Sequence, residues 1–76
     1  MTATGKAYVV RDAVTGGGPG EVTRMYPYTL QGLMTALDDA RYRSYAGTPV
    51  VVAVMEGGKS RTIRRFEDGH EVPAPS

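Results

Sequence analysis

The residues best equipped for chemistry stand in "EGGKSRT", Glu56 to Thr62, where Gly58-Lys59-Ser60 repeats the end of a phosphate-binding P-loop. In a P-loop the backbone wraps the phosphates between an earlier glycine and that Gly-Lys pair, and a helix follows directly. The earlier glycine would have to occupy position 53, which is alanine, and the residues after Ser60 alternate like a strand. Gly57-Gly58 therefore reads as a two-residue hairpin turn, since both central positions of a primed turn require positive φ. The glycine-rich "TGGGPG", Thr15 to Gly20, reads as a hairpin loop for a similar reason. A strand follows it where a phosphate cradle needs a helix, and Glu21 would repel an anion.

Other catalytic or metal-binding sets are sparse. His70 lies among Glu67, Asp68 and Glu71, but one imidazole beside a turn, with no cysteine in the chain, is a poor ligand set. Asp38 and Asp39 are adjacent on a predicted helix and point about 100° apart, so they do not form a paired-carboxylate site. No serine has a base beside it in the manner of a nucleophilic triad. We expect no enzyme activity, no cofactor and no metal.

Charge is more informative. Residues 41–66 carry Arg41, Arg43, Lys59, Arg61, Arg64 and Arg65 against Glu56, a net +5, whereas the whole chain is only +1. Residues 67–76 carry Glu67, Asp68 and Glu71 and are net −3. The basic charge is thus concentrated at the helix end and on the strand after Gly58. Along that strand Lys59, Arg61 and Arg65 share a face with Ile63, and Thr62, Arg64 and Phe66 share the other, unless a bulge at Arg64-Arg65 resets the alternation.

Four strands and one helix must position these groups. Lys6 to Val14 and Glu21 to Tyr28 read as the first hairpin, with Pro27 marking an edge. A helix starts at Thr29, a hydroxyl cap, with Tyr28 and Leu33 as a hydrophobic staple. Leu30, Leu33, Met34 and Leu37 are expected to face the sheet with Ala40 and Ser44 beside them, and Asp39 and Arg43 stand in the favourable i, i+4 order. Gly47 and Pro49 end the helix. Val50 to Met55 is apolar on both faces and belongs inside the sheet. The fold class is α+β: ββαββ, a four-stranded antiparallel sheet with one helix on one face. Strand order 2-1-3-4 is preferred, with a grasp-like 2-1-4-3 as the runner-up. Residues 1–5 and 73–76 are expected to be disordered, leaving a single domain over 6–72.

Seventy-six residues, 41% of them hydrophobic and 22% charged, suffice for one folded domain. So small a core usually gains stability from a disulfide, a metal or a partner subunit. With no cysteine and one histidine, a partner remains. One helix covers one face of a sheet, so the second face of the valine strand is expected to be open and to dimerise; Val50, Val51, Val52, Val54 and Met55 form the self-association set. The longest apolar run, "PVVVAVM", is too short to span a bilayer, and "MTATGKAY" lacks the apolar core of a signal peptide, so a cytoplasmic protein without a membrane role is expected. Seven arginines against two lysines, with frequent Ala, Gly, Val and Asp, suggest a GC-rich genome such as that of an actinobacterium or its phage.

Two functions follow. The first is a non-enzymatic protein-interaction domain, a regulator or inhibitor, which self-associates through its sheet and contacts another protein through Tyr42, Tyr45, Arg41, Arg61, Arg64 and Arg65; Tyr and Arg are enriched among interface anchors. The alternative is a nucleic-acid-binding protein whose arginine-rich fourth strand holds phosphates while Tyr42 or Tyr45 stacks on a base. Against the alternative stand the low net charge and the absence of an aromatic RNA-binding strand motif. The plainest role for the arginines is a solvated edge that blocks strand-on-strand aggregation.

Overall fold

Alternating and buried apolar runs form one antiparallel sheet of β1 (Lys6–Asp12), β2 (Arg24–Pro27), β3 (Val50–Glu56), β4 (Lys59–Glu67) and β5 (His70–Val72), with helix α1 (Leu30–Ser44) between β2 and β3. The structure is a computed structural model and describes residues 5–13 and 24–73. The expected Thr15–Gly20 loop, the strand ends at Val14 and 21–23, and the terminal segments 1–4 and 74–76 lie outside the described residues. No helix among the described residues is long and apolar enough to cross a membrane.

The sheet order is β2-β1-β3-β4-β5, so the apolar β3 is central and the preferred 2-1-3-4 order is contained within it. The fifth strand corrects the expected ββαββ to ββαβββ. Asp68 and Gly69 adopt φ of 53° and 81° and form a two-residue turn that pairs Glu67 with His70. Asp-Gly is among the strongest short hairpin signals, so the "EDGHEV" segment returns along β4 and does not lead into a tail. Gly57 and Gly58, at φ 59° and 81°, make the expected turn between β3 and β4.

Thr29 caps α1 as expected, its Oγ1 accepting the Gly32 N–H at 2.9 Å. The buried face of the helix differs from the expected leucine stripe. Gly32, Ala36, Ala40 and Ser44 are buried, Leu33 and Leu37 pack partly against the core, and Leu30 and Met34 are 75% and 59% exposed. Bulk comes from the sheet instead: Tyr8, Val10, Val50, Val52 and Phe66 fill the core, so only a row of small residues fits opposite them. At Gly32 a Cβ would stand 1.9 Å from the Pro27 carbonyl oxygen. Tyr28 stacks on Tyr8, with centroids 4.9 Å apart. Asp39, expected to face Arg43, accepts a 2.7 Å hydrogen bond from the Tyr26 hydroxyl and ties α1 to β2. Burial first, and then that bond, raise the Tyr26 pKa, so the phenol stays neutral until the pH climbs past the ordinary tyrosine range.

In β4 the register shifts between the partners of Val52 and Ala53: Arg64 faces Val52 and Thr62 faces Ala53. Ile63 is the extra residue, one position before the bulge considered from the sequence. The shift lets both Ile63 and Phe66 pack toward the helix, which strict alternation forbids.

The second face of β3 is closed, against expectation. Val51 is 7% exposed and Ala53 fully buried within the single chain, as is Val9 beside them on β1. Arg11 contributes cover: from β1 it donates to Ser60 Oγ on β4 at 3.0 Å, so its stem crosses β3. Val50 and Val52 lie in the core, and Val54 and Met55 are half-buried. The physical premise for dimerisation through this valine set is therefore absent.

Ser44 sets a test of the small-residue row. Its buried Oγ accepts the Gly69 N–H at 2.8 Å and donates to the Arg41 carbonyl at 2.7 Å. Ser44→Ala should cost about 1–3 kcal/mol in urea unfolding by orphaning a buried N–H. Leu30→Ala should stay within about 0.5 kcal/mol of the parent; a large loss there would return Leu30 to the core.

Candidate functional site

The helix has two distinct flanks, fixed by its contacts. Asp39 and Gly32 meet β2, and Arg43 donates to the Val10 carbonyl of β1 at 3.4 Å. On the other flank Arg41 lies with Cζ 5.8 Å from the centroid of the Phe66 ring on β4. At about 100° per residue, Leu30 falls within about 20° of Arg41 and Leu37 within about 40°, and Met34 lies about 20° away on the outer side. The exposed apolar pair Leu30 and Met34 therefore forms a shoulder of α1 on the side of β4.

Strand register places a basic recess on the same side of the sheet. Lys59 pairs with Glu56 and Arg61 with Val54, and Val54 packs against the helix-side core. Lys6, Tyr28, Val54, Glu56, Lys59, Ser60 and Arg61 line a recess of about 540 Å³. Lys6 Nζ sits 3.9 Å from Glu56 Oε1 and 5.3 Å from the Tyr28 ring centroid. Three cations, Lys6, Lys59 and Arg61, thus meet one carboxylate, leaving a local charge of +2. Among the described residues neither Lys59 nor Arg61 has an ion-pair partner.

The expected interaction residues divide between surfaces. Arg41, Arg61 and Arg64 share the helix side of the sheet near β4, although Arg64 Nε stands 3.4 Å from Glu71 Oε2. Arg65 faces Val51 on the opposite side and donates to Glu67 Oε2 at 2.8 Å. Tyr42, 78% exposed, borders a depression with Asp12, Arg43 and Val50 on the flank away from Arg41. Tyr45 caps the helix C-terminus and its ring lies against Gly69. Arg61 and the two tyrosines do not form one surface.

Lys59, Leu30 and Met34 lay outside the expected contact set. For Lys59 and Arg61 the signal was present, two residues apart after a Gly-Gly turn and hence on one face. For Leu30 and Met34 it was hidden, because helical spacing alone assigns large apolar residues to the core. Among the described residues no group of three or more His, Cys, Asp or Glu side chains is placed to hold a metal ion.

At the C-terminal end of α1 a Cβ on Gly69 would stand 2.3 Å from the Tyr45 ring, and Gly69 has φ 81°. Gly69→Ala should lower stability by about 1–2 kcal/mol, and the loss should be smaller in a Tyr45→Ala background where the ring is gone. Equal losses in both backgrounds, measured by urea unfolding, would remove the steric part of this account. The chain matches no protein-family model, and no curated protein or solved structure is significantly similar to it.

Proposed function

We propose that this chain is a small non-enzymatic protein-interaction domain that binds a partner on the shoulder of α1 facing β4. Leu30 and Met34 are the apolar anchors, on a patch they share with Gln31, Thr35 and Asp38, and Arg41 stands further along the same flank of the helix. One observation carries this: two large apolar side chains a turn apart stand 75% and 59% exposed on a helix that packs through small residues. Exposed apolar clusters mark contact sites, and methionine and arginine are enriched in them. A cytoplasmic regulator or inhibitor from a GC-rich bacterium or its phage is the role that fits such a domain. If the partner is a second copy, it meets the same shoulder, because the valine face is closed.

Nucleic-acid binding has less support. Arg64 and Arg65 are paired with Glu71 and Glu67, and Tyr42 stands on the flank away from Arg41. A phosphate track needs successive free cations beside a stacking ring.

Cross-linking in the cells that express the protein tests the proposal. The partner captured by the parent should disappear with the double variant Leu30→Ser/Met34→Ser and persist with Arg65→Gln on the opposite face. Exposed substitutions of this kind change stability by about 0.5 kcal/mol or less, so loss of the cross-link would report contact. Its persistence in the double variant would remove the shoulder as the binding surface, and sedimentation of the purified parent separates a second copy from a different protein.

A further inference from the structure

We propose that the recess at the β3–β4 turn is an anion site that receives a carboxylate of the partner, so that the partner segment is acidic as well as apolar. This rests on the protein-interaction reading and specifies its chemistry. Cross-strand register sets Lys6, Glu56 and Lys59 in a row across β1, β3 and β4, and Glu56 stands 3.9 Å from Lys6, on the side away from Lys59. Arg61 faces Val54, so no carboxylate stands opposite it in the register. Two cations two residues apart on one strand face thus border a recess of about 540 Å³ whose other lining includes Tyr28 and Val54.

The Tyr28 ring is engaged by Tyr8 at 4.9 Å and by the Lys6 ammonium at 5.3 Å. It is committed to an internal stack and is a poor platform for a nucleobase, which leaves charge as the recognition element. The free cations are also few. Beyond Arg61 along β4, Arg64 meets Glu71, and Arg65 lies on the other face with Glu67. A polynucleotide would find no continuing track, whereas one acidic side chain needs only this pair. Carboxylates bind arginine through paired N–H donors, and lysine supplies a compact point charge. Leu30 follows two residues after Tyr28 of the recess, and it and Met34 are exposed and available as the apolar contact.

The probe is a short fluorescein-labelled peptide of interspersed glutamate and leucine, followed by anisotropy, with a glutamine-for-glutamate peptide and an oligothymidylate as comparators. The acidic peptide should bind the parent, weaken as salt rises, and lose at least about tenfold in affinity with Lys59→Gln/Arg61→Gln. Arg65→Gln should leave it unchanged. Glu56→Gln removes the competing carboxylate and should tighten binding, an effect that misfolding cannot imitate. A glutamine peptide that binds equally well, or affinity indifferent to the Lys59, Arg61 and Glu56 changes, would overturn the anion site while leaving the shoulder standing. Binding by neither peptide also overturns it, with the shoulder judged separately by cross-linking. Tighter binding of the oligothymidylate, lost in the same Lys59/Arg61 variant, would overturn it in favour of nucleic acid.

Discussion

The distance between α1 and the sheet is the constraint on which the rest depends. Gly32, Ala36, Ala40 and Ser44 recur every four residues and present almost no side-chain volume, so the helix backbone can settle onto Tyr8, Val10, Val52 and Phe66. The interior is close-packed, and volume supplied by the sheet cannot also be supplied by the helix. A glycine is required where the helix passes the Pro27 carbonyl, and a serine is useful where it reaches the β4–β5 turn, because its hydroxyl satisfies Gly69 N–H. The same rotation that buries the small row turns Leu30 and Met34 outward. The exposed shoulder is therefore a consequence of how the core is filled.

The central strand makes the complementary point. β3 is buried on both faces inside one chain, although a single helix lies on only one of them. Long side chains can shield hydrocarbon while keeping their charged ends in water, and Arg11 does this by crossing from β1 to Ser60. Counting layers of secondary structure underestimates such cover. The two-faced valine strand is therefore no ground for expecting a sheet-mediated dimer.

What was legible in the sequence was local. Thr29 as cap, Gly57-Gly58 as turn, the central place of the valine strand and the helix stop near Gly47 depend on backbone conformation or on long apolar runs, and each appears in the structure. The β5 hairpin was legible too, from Asp68-Gly69, but Pro73 and Pro75 close behind favour a turn that leads into a tail. What was not legible depended on partners distant in the chain. Helical spacing offers two overlapping stripes here, one of leucines and methionine and one of small residues, and only the bulk of Tyr8 and Phe66 selects between them. The bulge at Ile63 is of the same kind: the alternation of β4 cannot bury both Ile63 and Phe66 on one side until the register slips. Of the expected interaction residues, Arg41, Arg61 and Arg64 stand together on the helix side near β4, whereas Arg65, Tyr42 and Tyr45 are separated from Arg61 by topology.

The arginines of β4 have a simpler use that must be weighed against binding. β5 pairs only with Arg65, Phe66 and Glu67, so among the described residues the first part of β4 has no strand on that side. Charged residues on such an edge discourage pairing with another chain. That role needs charge near the edge but is indifferent to the face on which it stands. The observed arrangement is not indifferent to face. Ser60 and Thr62 occupy the positions between Lys59, Arg61 and the bulge, so the free cations share the helix-side face, beside Tyr28 and Val54. The one carboxylate of the recess lies against Lys6 at 3.9 Å and leaves the other two cations without neutralisation. Edge protection would be served equally by the mixed pairs found at Arg64 with Glu71 and Arg65 with Glu67. The departure from that mixed pattern at Lys59 and Arg61, on the helix-side face of the sheet, is what favours recognition of an acidic partner over simple solubility.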